Sequence, residues 1–200
     1  MRSLFFAGAI MTAFFASSPA LAQEAPRVGG FNVGAHIGYD QVSLGDGTSS
    51  GSKSDVIYAV SAGYDFPVGT GFVGLEGEFA DSKVGLSETD ILTPGDRLTL
   101  SAGRDLYLGI RAGMTAGPFK IYAKGGYTKA RLKATYDDGT ITLGGSQSVD
   151  GFRLGAGTDI VISSHVSARL EYRYSDYGDV LGSGVKMSRS QFVTGLLGRF

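Results

Sequence analysis

The sequence predicts an all-β fold, an eight-stranded antiparallel up-and-down transmembrane β-barrel with short turns at one rim and long loops at the other. Three observations support this class. Apolar residues alternate with small or polar residues along eight segments, the connections between segments alternate in length, and aromatic residues gather near both segment ends. No apolar run after residue 22 is long enough for a spanning helix, so strands must make any membrane crossing.

The N-terminal segment, residues 1–22, is predicted to be a cleaved signal peptide. Arg2 precedes an apolar run from Leu4 to Phe15, and the segment ends in Ala20-Leu21-Ala22, the small-x-small pattern of a signal-peptidase site. A membrane helix is the alternative, but the run is shorter than the roughly 20 residues that a spanning helix needs. Residues 23–200 are therefore expected to form one exported barrel domain.

The composition excludes several kinds of chemistry. The 200 residues contain no cysteine, which excludes disulfides, thiol chemistry and cysteine-bound metals. With 18 Lys and Arg against 19 Asp and Glu, the net charge of -1 gives no electrostatic footprint for nucleic acid. The 32 glycines and 11% aromatic residues, with only 5 prolines, suit closely packed strands better than helices or a disordered chain.

Each of the eight segments alternates with a period of two residues, which is the period of a β-strand. In the first, Phe31, Val33, Ala35, Ile37 and Tyr39 share one face. The apolar faces of the other segments fall within residues 56–66, 73–79, 106–114, 119–127, 152–160, 166–174 and 192–200. The last segment is the least regular, since Val193 and Leu197 also make its second face apolar.

The connections between segments alternate in length. The tight connections are 67–71, 115–118 and 163–165, and the long ones are 45–54, 81–105, 129–151 and 176–188. Short periplasmic turns and long extracellular loops are typical of transmembrane barrels, and an even strand number places both mature termini in the periplasm. Asp138-Gly139 predicts a hairpin turn that would extend the third loop as a β-ribbon, and Pro94-Gly95-Asp96 predicts a turn in the second loop.

Alternation alone does not decide which face meets lipid, because a soluble lipocalin-like barrel has the same period with its faces reversed. The polar face is rich in glycine and carries charges of both signs at mid-strand. This composition suits a narrow lumen, where small residues leave room for long charged side chains to pair. A lumen charge network is predicted from Glu76, Glu78, Arg111, Lys124, Arg153, Arg169, Glu171 and Arg173.

The aromatic residues form two predicted bands, as the interfacial girdles of a membrane barrel require. The turn-end band contains Phe31, Tyr64, Phe66, Phe72, Phe119 and Phe200. The loop-end band contains Tyr39, Tyr58, Phe79, Tyr127, Phe152, Tyr174 and Phe192. Ordinary sheet aromatics are the alternative explanation.

The chain resembles the small outer-membrane β-barrel "porin family" of proteobacteria, related to the OmpA transmembrane domain and the neisserial opacity proteins. The most specific matching segments are residues 72–79, 121–127, 168–178 and 196–200. The resemblance implies location in the cell outer membrane and a C-terminal signal read by the barrel-assembly machinery, at Phe192, Leu196 and Phe200. The chain lacks the peptidoglycan-binding domain of OmpA-type proteins, so cell-wall tethering is not expected.

Three functions are compatible with these features, and a structural or surface-interaction role with an occluded lumen is favoured. The alternative is a narrow porin-like channel for small solutes, although eight strands leave little room. An outer-membrane enzyme is not expected, because His36 faces the lumen and His165 lies in a turn, away from any rim serine nucleophile. No cofactor or metal is expected, since Asp137-Asp138-Gly139 lacks the spaced ligands of a calcium loop.

Loop residues are where specific recognition is expected, because the barrel holds its loops at the surface. Cations predicted near the outer rim are Lys83, Arg97, Arg104, Lys129, Arg131, Lys133, Lys186 and Arg189. Among them, Lys129, Arg131 and Lys133 are candidates for contact with lipopolysaccharide phosphates, and a solvated rim is the alternative. The predicted partners are outer-membrane lipid, lipopolysaccharide and the assembly machinery, for a monomer that binds no nucleic acid.

Overall fold

The structure, a computed structural model, describes residues 29–45, 50–82, 85–89, 97–137, 142–179 and 186–200. The predicted signal peptide, Pro94-Gly95-Asp96 and Asp138-Gly139 lie outside these residues. Within the described chain the strands are β1 (Gly30–Gly45), β2 (Ser50–Val68), β3 (Gly71–Ser82), β4 (Gly85–Thr89), β5 (Arg97–Ala116), β6 (Phe119–Asp137), β7 (Thr142–Val161), β8 (Val166–Asp179) and β9 (Lys186–Arg199). No helix in the described residues is long and apolar enough to cross a membrane.

Eight of these strands close into an antiparallel barrel. The order is β3-β2-β1-β9-β8-β7-β6-β5, and pairing of β3 with β5 completes the ring. Short β4 pairs only with the outer part of β5, from Gly85 opposite Ser101 to Thr89 opposite Arg97. The predicted fold class is therefore correct, and β4 adds a small strand outside the closed ring.

The turns at one rim are tight. Gly69 and Thr70 separate β2 from β3, and Gly117 and Pro118 separate β5 from β6. Gly69 and Gly117 each have φ near +59°, a left-handed conformation that favours glycine and suits a two-residue hairpin. At the other rim, β5, β6 and β7 continue well past the barrel, with β6 and β7 paired as far as Asp137 opposite Thr142. Much of the predicted second and third loops is therefore strand.

The outward face carries a continuous apolar band, about five outward residues tall on each strand. It includes exposed Val33, Leu75, Leu108, Leu154 and Leu196. The next outward residue toward the long loops is polar on every barrel strand: Gln41, Ser54, Asp81, Arg104, Lys129, Asp150, Asp176 and Ser190. An apolar exterior around a charged interior is the arrangement of a membrane barrel, and it excludes the soluble barrel with reversed faces.

Candidate functional site: the lumen

The barrel interior is filled by ionised side chains. Among the described residues, seven carboxylates, Asp40, Asp65, Glu76, Glu78, Asp105, Asp159 and Glu171, are buried there. Eight cations, Arg111, Lys120, Lys124, Arg153, Arg169, Arg173, Arg189 and Arg199, accompany them, which leaves a formal charge of +1. Near balance of sign is necessary here, because a buried charge without a partner is strongly destabilising.

Three ion pairs cross the full width of the lumen. In the closed ring β3 lies opposite β8, and Arg169 on β8 donates to Glu76 on β3 at 2.7 Å. One layer toward the long loops, Arg173 on β8 donates to Glu78 on β3. The third pair joins the opposed strands β9 and β5, where Arg189 Nη1 lies 3.2 Å from Asp105 Oδ2. The three crossing pairs lie at successive heights along the lumen.

The turn-side layer is centred on a bidentate ion pair. Arg111 donates through Nε to Asp65 Oδ1 at 2.8 Å and through Nη2 to Asp65 Oδ2 at 2.6 Å. Lys120 Nζ lies 2.7 Å from the same carboxylate. The Phe72 ring lies beside both cations, 4.1 Å from Lys120 Nζ and 5.3 Å from Arg111 Cζ, which are cation–π distances.

The middle layer joins strands that do not pair with each other. Lys124 Nζ bridges Glu76 at 2.7 Å and Glu171 at 2.6 Å. Tyr122 donates its hydroxyl hydrogen bond to Glu171 at 2.6 Å. Arg153 links Glu78 at 3.1 Å to Asp105 at 2.5 Å, which connects the middle layer to the outer one.

The outer layer combines ion pairs with an apolar cluster. Arg189 donates to Asp40, and Tyr177 donates to Asp105 at 2.8 Å. Beyond these groups the lumen contains a buried apolar cluster of Val42, Ala130, Val149, Tyr177 and Met187. This outer apolar cluster lies between the ion pairs and the long loops.

Inward glycines leave the space that these large side chains occupy. A Cβ added at Gly157 would lie 2.8 Å from the Tyr122 hydroxyl oxygen. A Cβ at Gly155 would lie 3.2 Å from Lys124 Cγ, closer than most real Cβ contacts. The abundance of glycine on the polar face thus has a packing cause, as the sequence suggested.

All eight residues of the predicted charge network lie inside the barrel and are joined by ion pairs. Asp40, Asp105, Lys120 and Arg189 belong to the same network but were not among the eight. Asp105 ends a segment predicted as a loop and Arg189 directly follows one, and only the continuation of β5 and β9 places them in the lumen. Their alternation with outward Arg104 and Ser190 is the signal that could have found them.

Two predicted positions are wrong. Arg189, expected among the cations of the outer rim, is fully buried and paired with Asp40, because it shares the inward phase of β9. Phe72, expected in the turn-end aromatic band, is 2% exposed and points into the lumen, because it is in phase with Glu76 rather than with Val73. The other twelve predicted girdle residues are exposed on the outside.

The remaining predicted residues lie on the outer surface. Phe192, Leu196 and Phe200 alternate along the C-terminal strand and are 55%, 59% and 71% exposed toward lipid. Lys129, Arg131 and Lys133 are exposed on one face of β6 beyond the apolar band. Lys83 lies outside the described residues.

The two histidines each contact a serine. His36 Nε2 lies 2.8 Å from Ser61 Oγ inside the lumen, and its Nδ1 has no hydrogen-bond partner in the described chain. A hydrolytic triad needs an acid at that nitrogen. His165 Nδ1 lies 2.9 Å from Ser164 Oγ in an exposed turn. The described residues contain no group of His, Asp or Glu suited to hold a metal ion.

Comparison with known proteins now identifies the family. The model of the outer membrane protein beta-barrel domain family matches residues 7–200. The chain belongs to this family. It is accordingly an integral protein of the cell outer membrane.

Individual relatives agree with this assignment. A 22 kDa outer membrane protein of Rhizobium leguminosarum bv. viciae is 28% identical over 158 residues, which cover 78% of this chain and 70% of the relative. Among solved structures, the attachment invasion locus protein Ail of Yersinia pestis has a TM-score of 0.54 at 17% identity, covering 86% of this chain and 99% of Ail. Neisserial surface protein A has a TM-score of 0.55 at 18% identity, covering 85% and 97%. At these identities the two structures support the fold alone.

Proposed function

We propose that this barrel has a structural and surface-interaction role, that its lumen is closed to solutes, and that it is not an enzyme. The observation that carries the proposal is the stack of three ion pairs across the lumen, Glu76 with Arg169, Glu78 with Arg173 and Asp105 with Arg189. An eight-stranded barrel is only wide enough for side chains, so paired side chains that span it leave no path for a solute.

The outer apolar cluster supports the same conclusion. Val42, Val149, Tyr177 and Met187 are buried inside the loop-side end of the barrel. An ion that passed the charged layers would then have to lose its water in an apolar constriction. A specific function therefore belongs to the outer surface.

A narrow channel is the second candidate, and one observation favours it. On the turn side, both amide atoms of Asn32 and the hydroxyl of Ser167 are buried without a partner in the described chain, and nearer the middle layer so is Nδ1 of His36. Buried polar atoms of this kind commonly bind water. Water in this part of the lumen would shorten the closed section that an ion must cross.

Single-channel recording separates the two candidates. Residues 23–200 would be refolded into detergent and planar bilayers, and a difference in gel mobility between heated and unheated samples would verify folding. We expect a folded barrel without discrete conductance steps. Conductance steps in the wild type would instead establish the channel if their size changes with Glu76→Gln. Their size should not change with Asp81→Asn, an exposed position on the same strand.

A further inference from the structure

In the described part of the chain, most exposed cations beyond the apolar band lie in one sector of the barrel, on β5 and β6. Arg104 on β5 and Lys129, Arg131 and Lys133 on β6 are all exposed. On the neighbouring and opposite strands, the first outward residues beyond the band are Gln41, Ser54, Asp81, Asp150, Asp176 and Ser190. Positive charge at the outer membrane boundary is therefore a property of the β5–β6 sector, defined here as the cationic sector.

A β-bulge brings the two strands' cations together. Between Ala102 opposite Leu132 and Asp105 opposite Ala130, β5 has two residues, Gly103 and Arg104, against the single residue Arg131 of β6. These residues lie beside Arg131, whose carbonyl oxygen would be 3.3 Å from a Cβ at Gly103. A β-bulge changes the direction in which side chains point, and here it directs Arg104 of β5 outward beside the exposed cations of β6.

The cationic sector begins where the apolar band ends. Tyr127 is exposed on β6 at the loop-side edge of the apolar band, and Lys129 is the next outward residue. Because alternate strand residues are about 7 Å apart, Lys129, Arg131 and Lys133 form a row of about 14 Å rising from the membrane boundary. Asp150 lies 3.4 Å from Lys129 Nζ and offsets the lowest cation of this row.

We propose that the cationic sector binds the phosphate groups of lipopolysaccharide in the outer leaflet. The occupant must be anionic, and its charge must lie just above acyl chains that cover the apolar band. A phosphorylated glycolipid meets both requirements, with phosphates placed for the arginine guanidinium groups. This inference rests on the surface role proposed above and names its partner, whereas conductance tests the closed lumen separately.

The test compares two double variants with the same change in charge. Arg131→Gln with Lys133→Gln removes two cations from the sector, and Lys53→Gln with Lys186→Gln removes two exposed cations from strands β2 and β9. Each refolded protein would be placed in phosphatidylcholine nanodiscs, and binding of phosphorylated lipid A would be measured by native mass spectrometry. Heat-modifiable mobility verifies that all variants are folded.

We expect the sector variant to bind phosphorylated lipid A about 30-fold more weakly, since each cation near an anionic lipid surface contributes about fivefold. The control variant should stay within about twofold of wild type, and dephosphorylated lipid A should bind all three proteins weakly. The proposal would be overturned if both double variants lost affinity for phosphorylated lipid A equally. It would also be overturned if the wild type bound dephosphorylated lipid A, or inorganic phosphate, as tightly as phosphorylated lipid A. Conductance in the wild type would contradict only the closed lumen.

Discussion

At the scale of single residues, each lumen side chain has several partners. Glu76 is the clearest case, because its two oxygens contact Lys124, Arg169 and Arg111 at 2.7, 2.7 and 3.4 Å. Removing the charge of such a residue leaves several cations without their shared partner in a low-dielectric interior. The energetic penalty is therefore larger than the worth of any one contact.

We expect Glu76→Gln to lower the free energy of unfolding by about 3–5 kcal/mol, the range for breaking a buried ion pair from one side. Urea unfolding of the refolded protein in micelles measures the change. Asp81→Asn on the outward face of β3 is the matched control and should change the stability by no more than about 0.5 kcal/mol. A similar small effect at Glu76 would show that the network contributes little to stability.

The position of Phe72 yields a second prediction at this scale. The protein contains no tryptophan, so one introduced tryptophan reports its own surroundings. In bilayers of brominated lipid, fluorescence of Phe79→Trp should be quenched, because Phe79 is 42% exposed on the apolar band. Phe72→Trp should be shielded from bromine, because Phe72 is buried against Arg111 and Lys120. Equal quenching at both positions would contradict the inward orientation of Phe72.

At the scale of strands, periodicity located all eight barrel strands but ended several of them too early. The apolar alternation stops at the lipid boundary, whereas β5, β6 and β7 continue to Arg97, Asp137 and Thr142. Outward residues become polar there, so hydrophobicity no longer marks the strand. Backbone pairing continues because hydrogen bonding between strands does not depend on lipid.

The outer part of β7 has one described partner strand. From Thr142 to Gly151 it pairs with β6, and pairing with β8 begins at Phe152. A strand paired on one side opens more easily, so its amides should exchange with solvent faster than those of residues 152–161. Hydrogen exchange followed by mass spectrometry checks this expectation. Equal protection along β7 would indicate a second partner for its outer part.

The C-terminal strand carries the predicted assembly signal. Phe200 faces lipid beside Phe31, with ring centroids 6.2 Å apart, so an anchoring role is also open to it. We expect Phe200→Ala to slow insertion by the barrel-assembly machinery severalfold, while leaving spontaneous refolding into detergent nearly unchanged. Phe152→Ala, which removes a lipid-facing phenylalanine at the opposite boundary, should leave both rates near wild type. Equal slowing of both processes by Phe200→Ala would favour a simple membrane anchor.

At the scale of the whole molecule, the proposed closure of the lumen rests on several barriers in series. Pairs at Glu76, Glu78 and Asp105 each cross the barrel, and the outer apolar cluster follows them. The proposed closure is therefore redundant, since no single pair carries it alone. The network also joins strands far apart in the chain, such as β3 with β8, which restrains the register of the whole ring.

This redundancy predicts that the loss of one crossing ion pair does not open the lumen. We expect the double variant Glu78→Gln with Arg173→Gln to remain without conductance steps, because two crossing pairs and the apolar cluster persist. Planar-bilayer recording checks this outcome, with wild type as the reference and heat-modifiable mobility as the folding control. Discrete conductance steps in this variant would mean that the Glu78–Arg173 pair alone closes the lumen.

The sequence by itself determined the fold class, the strand number, the asymmetry of the connections and the inward phase of the eight predicted network residues. All of these follow from a period of two and from turn chemistry, which are local properties. Only the tertiary structure decided that Glu76 meets Arg169, that Arg189 and Asp105 close the outer layer, and that Phe72 lies under two cations. These contacts join strands across the barrel, and barrel closure and strand stagger set their heights, which no local pattern encodes.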